Sequence, residues 1–371
     1  MEHAASIVRN LLTHADITLN GNRPWDIVVH DDRLYDRLMR DRAMAMGEAY
    51  MDSWWDSDDL GETIRRILSA DLEHAIPMRK LLLPALKARM RNPQGKSRAA
   101  HDVSRHYDRG NDLFSAMLDQ RMTYSCAYWK DADTLDDAQE AKLDLVCRKI
   151  GLREGDRVLD IGCGWGSFMK FAAERYGATA VGVTLSQQQV TLGKELCSGY
   201  PVEFRLQDYR DLDEQFDHIV SLGMIEHVGA KNYRRFMEVA ARCLKDEGLF
   251  LLHTIGTRSP REDPDSWSNR YIFPGSHLPA ATEVIAAAGE RFIVEDWHNI
   301  GVDYARTLDA WFDNFDAHWH GKLDHHYDER FYRMWKYFLK SSAGSFRARR
   351  NHVWQIVFSK KGVPGGYTSV R

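Results

Sequence analysis

From Gly155 onward, short apolar runs of strand length alternate with stretches whose apolar residues recur at helical spacing, the signature of a parallel sheet covered on both faces. The runs predict strands at 157–161, 180–183, 202–206, 216–222 and 249–255. All but the third are followed by helix-like stretches, among them 168–176, 187–197 and 233–244. A strand at 292–297, a long helical insertion from Tyr304 to about Ser341 and a closing strand at 353–359 complete the array. Upstream the signals are shorter: a strand-like 25–30, then helical spacing through Leu34, Leu38, Met44 and Met46, and again through Ile64, Ile67 and Leu68. The expected architecture is α/β, a Rossmann-like sheet at 106–371 with a helical insertion at about 303–341. A small, mainly helical domain at 1–90 and a linker at 91–105 precede it.

A chain of 371 residues has room for two domains, and 44% hydrophobic with 28% charged residues is too apolar for disorder. The charge, 50 − 54 = −4 with histidine neutral, argues against a globally basic nucleic-acid binder. It is unevenly spread. Between Arg79 and Arg105, the cations Lys80, Lys87, Arg89, Arg91, Lys96 and Arg98 face Asp102 as the sole acid, and Asn92-Pro93-Gln94-Gly95 supplies turn chemistry. Five cysteines, Cys126, Cys147, Cys163, Cys197 and Cys243, lack any C-x-x-C spacing. They fit the reduced thiols of a cytoplasm rather than a disulfide framework or a zinc ribbon. The first residues have no basic-then-apolar leader and no run of 18 apolar residues occurs, so neither export by such a signal nor a membrane span is expected.

The segment Val158-Leu159-Asp160-Ile161-Gly162-Cys163-Gly164-Trp165-Gly166 ends the first strand of the array in three alternate glycines and opens a helix. Glycine permits close backbone approach, so a nucleotide-like ligand can lie against the strand end at the first crossover. The spacing is G-x-G-x-G, and the stretch that would carry an acid for a nicotinamide ribose reads Gly182-Val183-Thr184, which disfavours a dehydrogenase. Asp160, directly before the glycines, and Asp208, after the third strand, are what a sheet binding S-adenosylmethionine needs. Asp160 would order the turn and a bound amino-acid moiety; Asp208 would accept from the adenine amino group. Either aspartate alone is equally a turn or helix cap. Loop, strand order and acid positions together favour a class I methyltransferase.

Longer blocks carry a family resemblance. His106-Tyr107-Asp108-Arg109-Gly110-Asn111-Asp112-Leu113-Phe114, Tyr124-Ser125-Cys126-Ala127-Tyr128-Trp129, Gly182-Val183-Thr184-Leu185-Ser186, Gln207-Asp208-Tyr209-Arg210-Asp211, Glu226-His227-Val228-Gly229 and His253-Thr254-Ile255-Gly256 closely resemble the cyclopropane-fatty-acyl-phospholipid synthases. So do Gly47-Glu48-Ala49-Tyr50-Met51-Asp52 with Trp54-Trp55, and Glu295-Asp296-Trp297-His298-Asn299, which extends the resemblance over almost the whole chain. It implies a reaction in which a cis double bond of a phospholipid acyl chain takes the methyl group of S-adenosylmethionine and, after loss of a proton, closes a cyclopropane ring. A poor alkene nucleophile and a cationic intermediate call for a dry, apolar or aromatic site.

In this family the proton goes to a bound bicarbonate ion, and the resemblance assigns its pocket to Cys126, Glu226, His253, Tyr304 and the backbone of Ile255. Taken alone, Cys126 reads as a buried thiol, His253 as a core histidine and Tyr304 as a packed helix residue. Glu226-His227, a charged pair closing an apolar strand, needs a partner. For the cofactor the resemblance implies Tyr124 and Ser125 at the sulfonium and carboxylate end, and Gly162, Gly164 and Gly166 in the loop. It adds Thr184 and Gln189 after the second strand, with Asp208 and Tyr209 by the adenine. Ser341 stands where relatives often carry a cysteine that has been proposed as catalytic.

A peripheral enzyme at the cytoplasmic side of the inner membrane is expected, its partners a phospholipid bilayer surface with unsaturated acyl chains and, by resemblance, a second copy of itself. The basic stretch from Arg79 to Arg105, with 81–86 inside it, is the candidate docking element or, equally, a solvated linker. Tyr304, Leu308, Trp311 and Phe315 form a helical stripe, an acyl channel or plain core. His318, His320, His325 and His326 lack metal-site spacing and read as a solvated turn, so no metal is expected. Two rival readings remain open: a small-amine or lipid-headgroup methyltransferase of the same fold, and a lipid-surface binding protein without turnover.

Overall fold

The computed structural model describes residues 2–70, 110–260 and 266–371, which fall into two compact units. The linker at 91–105, the apolar run at 81–86 and residues 106–109 lie outside the described residues. One unit takes the described residues of Met1–Arg91, Glu262–Pro274 and Tyr304–Asn351; the other takes those of Asn92–Arg261, Gly275–Asp303 and His352–Arg371.

In chain order the elements begin with α1 (Glu2–His14), β1 (Val28–Val29), α2 (Arg33–Met51), β2 (Trp55–Asp56), α3 (Leu60–Ser69), α4 (Asn111–Met117) and α5 (Leu135–Lys149). The sheet follows with β3 (Arg157–Ile161), α6 (Ser167–Tyr176), β4 (Thr179–Thr184), α7 (Gln187–Leu196), β5 (Val202–Leu206), β6 (His218–Leu222), α8 (Tyr233–Cys243) and β7 (Leu249–Thr257). Last come α9 (Ser266–Tyr271), α10 (Ala281–Ala288), β8 (Ile293–Asn299), α11 (Gly301–Ala317), α12 (Glu329–Arg347) and β9 (Asn351–Ser359).

A seven-stranded sheet of order β5-β4-β3-β6-β7-β9-β8 organises the larger unit. β3 pairs in parallel with β4 and β6, β4 with β5, and β6 with β7, while β8 runs antiparallel to β9. The strand order reverses at β3, which opens a crevice at its carboxyl end, the place where open α/β sheets bind ligands. β3 reads Arg-Val-Leu-Asp-Ile with all but the first residue buried, as a strand covered on both faces requires. Alternation sends Leu159 and Ile161 into one core, with Ile225, Phe236 and Phe250, and Val158 into the other, with Val146, Phe168 and Ala172. Asp160 follows Val158 by two residues, so its carboxylate lies on the face covered by α5 and α6.

The other unit is mainly helical, with the small β1–β2 sheet, and it differs from expectation in two places. The insertion groups with the amino-terminal helices rather than with the sheet, because α12 is bonded to them. Arg333 donates to the carbonyls of Tyr50 (2.6 Å) and Trp55 (3.1 Å) and to Asp56 (2.7 Å), with its guanidinium over the Tyr50 ring. Trp267 of α9 is buried against Gly47 and meets Tyr337 edge-on at 4.7 Å, and Tyr271 donates to Glu48 at 2.7 Å. The Gly47–Asp52 block is thereby accounted for as packing. The insertion itself is two helices, α11 and α12, broken at Trp319–Leu323, where Gly321 has φ +80°. Leu308, Trp311 and Phe315 of the apolar stripe are core of this unit, and Phe315 stacks on Tyr332.

The strand expected at 25–30 shrinks to Val28–Val29. Residues before it turn instead, with the Asp26 N–H donating to the Arg23 carbonyl, and the Trp25 indole lies under Arg66. His320 and His325 lie near Asp324, and no group of three metal-ligating side chains occurs among the described residues. Ser341 donates to the Phe338 carbonyl within α12 (3.3 Å).

Candidate functional site

The site grows from the loop between β3 and α6. Gly162, Gly164 and Gly166 all take positive φ (+88°, +54° and +87°), a region costly for other residues. Two of them are also sterically required: a Cβ on Gly162 would stand 2.7 Å from Met224 Cβ, and one on Gly166 2.4 Å from Phe204 Cζ. The loop is tied to the next strand by the Gly162 and Cys163 N–H groups, which both donate to the Val183 carbonyl.

Beside this loop lies a cavity of about 1100 Å³, its mouth included. Of the residues expected for the cofactor, Tyr124, Ser125, Asp160, Gly162, Gly164, Thr184, Gln189 and Tyr209 line it. Gly166 does not; it supports the loop from behind, against Phe204 and Cys197. Asp208 does not line it either. Its carboxylate caps the turn at Tyr209–Asp211 and holds Arg210 through Nε (2.8 Å) and Nη2 (2.6 Å), leaving Gln207, Tyr209 and Arg210 on the wall. Thr184 donates to Gln189 Oε1 at 2.6 Å, so these two act as one buried pair.

The segment Met122 to Ser125, which also lines the cavity, is held from behind. Asp119 accepts the N–H and hydroxyl of Thr123 (2.7 and 3.1 Å). From α5, Gln139 donates to the carbonyls of Thr123 and Ser125, and Lys142 Nζ donates to Ser125 Oγ at 2.6 Å. Phe114 packs Tyr124 and Trp165 from the same side, with ring centroids at 5.0 and 5.1 Å. Sequence reading missed Asp119, Gln139 and Lys142. The available signal was positional: Ala138, Lys142, Leu145 and Lys149 share one helical stripe, which places two lysines where apolar residues belong.

Electrostatically the cavity holds an unmet acceptor. Asp160 Oδ1 is buried without a hydrogen-bond partner among the described residues, and burial, opposed by Lys142, raises its carboxyl to about 7. His227 also lines the cavity, and burial lowers it to about 4, so its ring is neutral near physiological pH and does not repel a cation.

A second cluster adjoins the ends of β6 and β7. Glu226 sits on a short turn after β6; its Oε1 accepts the Ile255 N–H at 2.7 Å, while its Oε2 is buried without a hydrogen-bond partner among the described residues. Burial raises this carboxyl to about 7. His253, two residues before Ile255 on β7, is 3.4 Å from Gln355 of β9 and is held neutral by burial, with Lys142 and Lys149 pushing the same way. Cys126 is fully buried, its thiol directed at the carbonyls of Ala127 and Ile300. Tyr304 belongs to the helical unit, where it packs on Phe346 and Trp311. The structure therefore joins Glu226 and Ile255 directly, with His253 on the same strand.

The chain is similar to known proteins over most of its length. Residues 94–356 match the family described as mycolic acid cyclopropane synthetase. The cyclopropane-fatty-acyl-phospholipid synthase of Escherichia coli strain K12 is 48% identical over 366 residues, 98% of this chain and 95% of that protein. Among solved structures, the cyclopropane synthase MmaA2 of Mycobacterium tuberculosis covers 70% of this chain and 98% of its own, with 32% identity and a TM-score of 0.66. The mycolic acid cyclopropane synthase CmaA1, solved with S-adenosylhomocysteine and CTAB, gives 35% identity over the same shares and a TM-score of 0.65.

Proposed function

The chain belongs to the mycolic acid cyclopropane synthetase family, and from that premise we infer an enzyme that transfers a methylene from S-adenosylmethionine to the cis double bond of unsaturated phospholipid acyl chains. S-adenosylmethionine supplies a methyl group to the electron pair of the alkene, and loss of one proton from that carbon as the ring closes leaves S-adenosylhomocysteine and a cyclopropane. The cavity beside the glycine loop is its site. Tyr124 and Ser125 bound the amino-acid end, Asp160 accepts from the ammonium, and Tyr209 and Gln207 bound the adenine end. Neutral His227 leaves the sulfonium unopposed.

We further propose that Glu226, His253 and the Ile255 backbone, with Cys126, hold bicarbonate. One observation carries this: a fully buried carboxylate oxygen, Glu226 Oε2, without a hydrogen-bond partner among the described residues, where an orphaned acceptor is costly. Bicarbonate is an oxyanion that also carries a hydroxyl donor, so it satisfies Glu226 and supplies a proton acceptor when bound. Neutral His253 offers it a ring nitrogen without a competing charge. The test is turnover in carbonate-depleted buffer: activity should fall and return on adding bicarbonate. Turnover indifferent to bicarbonate contradicts this part of the reading.

We propose a peripheral membrane location and a homodimer on the strength of the family relationship. Among the described residues no helix is long and apolar enough to cross a membrane. The basic stretch from Arg79 to Arg105 supports contact with anionic headgroups.

A further inference from the structure

We propose that Lys142 is a positioning residue: its buried ammonium fixes the Ser125 hydroxyl as a hydrogen-bond donor into the cavity and so selects a ligand that carries a carboxylate. The proposal rests on the reading that this cavity takes the amino-acid end of S-adenosylmethionine. The geometry begins on α5, where Gln139 and Lys142, three residues apart, face the back of the 123–125 segment, and both are wholly buried. Lys142 Nζ lies 2.6 Å from Ser125 Oγ. An ammonium has three donors and no acceptor, so Ser125 Oγ must be the acceptor of that bond. The hydroxyl proton of Ser125 is then left to point elsewhere.

Ser125 lines the cavity, and its carbonyl is already engaged by Gln139. Its proton is therefore on offer to an acceptor in the cavity, polarised by the ammonium behind it. Asp160 also lines the cavity, with a buried oxygen lacking a partner among the described residues. Ser125 thus donates into the cavity and Asp160 accepts from it, the complement of the carboxylate and ammonium of an α-amino acid. The charged groups facing Lys142 are Asp119 and Asp160, with the thiol of Cys126 nearby, and burial lowers its ammonium to about 8. Packing alone does not need this charge, since a methionine fills similar space and burying a cation is costly.

The experiment is calorimetric titration of wild type, Lys142→Met, Ser125→Ala and the double variant with two probes, S-adenosylhomocysteine and 5′-methylthioadenosine. The second shares the adenosine and sulfur but lacks the amino-acid part. Lys142→Met should weaken S-adenosylhomocysteine by about tenfold or more, the scale of one charge-assisted hydrogen bond, and leave 5′-methylthioadenosine within about twofold. Ser125→Ala should reproduce that selective loss, and the double variant should be no worse than either single one. Equal loss of both probes, unchanged S-adenosylhomocysteine affinity, or additive losses overturn the proposal. Wild type that binds both probes equally overturns the reading of the cavity beneath it, a distinct result.

Discussion

Glu226→Gln removes a charge and keeps the side chain's shape, so its effects on stability and on turnover are separable. In the native protein one carboxylate oxygen accepts the Ile255 N–H and the other is buried without a partner among the described residues. Burial raises this carboxyl from 4.5 to about 7. The folded protein thus holds the proton more tightly than the unfolded chain does. Stability is full below the lower value, falls as pH rises through about 7, and stays lower above it. At about 1.4 kcal/mol per pH unit the shift amounts to a penalty of about 3 kcal/mol. Glutamine does not ionise and escapes it. Urea unfolding without ligands should find variant and wild type close at about pH 4.5, and the variant more stable by about 2–3 kcal/mol at about pH 8. Turnover at that pH should nonetheless fall by about 100-fold or more, since an amide cannot replace the buried carboxylate. S-adenosylhomocysteine affinity should stay within several-fold, because Glu226 does not line the cavity beside the glycine loop. A variant less stable than wild type at the higher pH, or one that loses cofactor affinity as steeply as turnover, refutes the reasoning.

Three further outcomes follow from particular contacts. Gly166→Ala should cost about 2–4 kcal/mol in urea unfolding, because φ is unfavourable and the new Cβ meets Phe204; an unchanged midpoint contradicts this. With Asp160 at about 7 in the ligand-free protein, titration should show S-adenosylhomocysteine affinity rising as pH passes upward through that value, as the anionic carboxylate forms. Asp160→Asn should flatten that profile, and a variant that retains it locates the titration elsewhere. Phe315→Ala, which empties a buried site between Trp319 and Tyr332, should cost about 3–5 kcal/mol by the same unfolding assay, and a loss under about 1 kcal/mol contradicts a packed stripe.

The parallel strands were legible because burial on both faces makes each one a near-continuous apolar run; the third was placed at 202–206 at both ends. Helix α5 was not, because Gln139, Lys142 and Lys149 occupy buried positions and break the apolar stripe that would have announced it. The division into units was also invisible. It depends on tertiary bonds such as those of Arg333 to Tyr50 and Trp55, which no local pattern encodes. Within the site, the glycine loop was readable from spacing, since its positive φ angles dictate glycine, and Asp160 from its place just before the loop. Asp208 was placed correctly after β5, yet its carboxylate is committed to Arg210, a pairing that two residues of separation did not reveal. Lys142 shows the converse: a residue of cationic type, silent in any motif, whose meaning appears only once burial places it behind Ser125.

The central claim is chemical, that a methylene enters an acyl chain. Its most direct measurement is incubation of the protein with methyl-labelled S-adenosylmethionine and vesicles of a monounsaturated phospholipid, followed by mass spectrometry and NMR of the released fatty acids. The account predicts chains heavier by one CH₂, with the label in a ring and the double bond gone. A labelled headgroup above an unchanged acyl chain, or chains that carry a methyl branch and no ring, would contradict it.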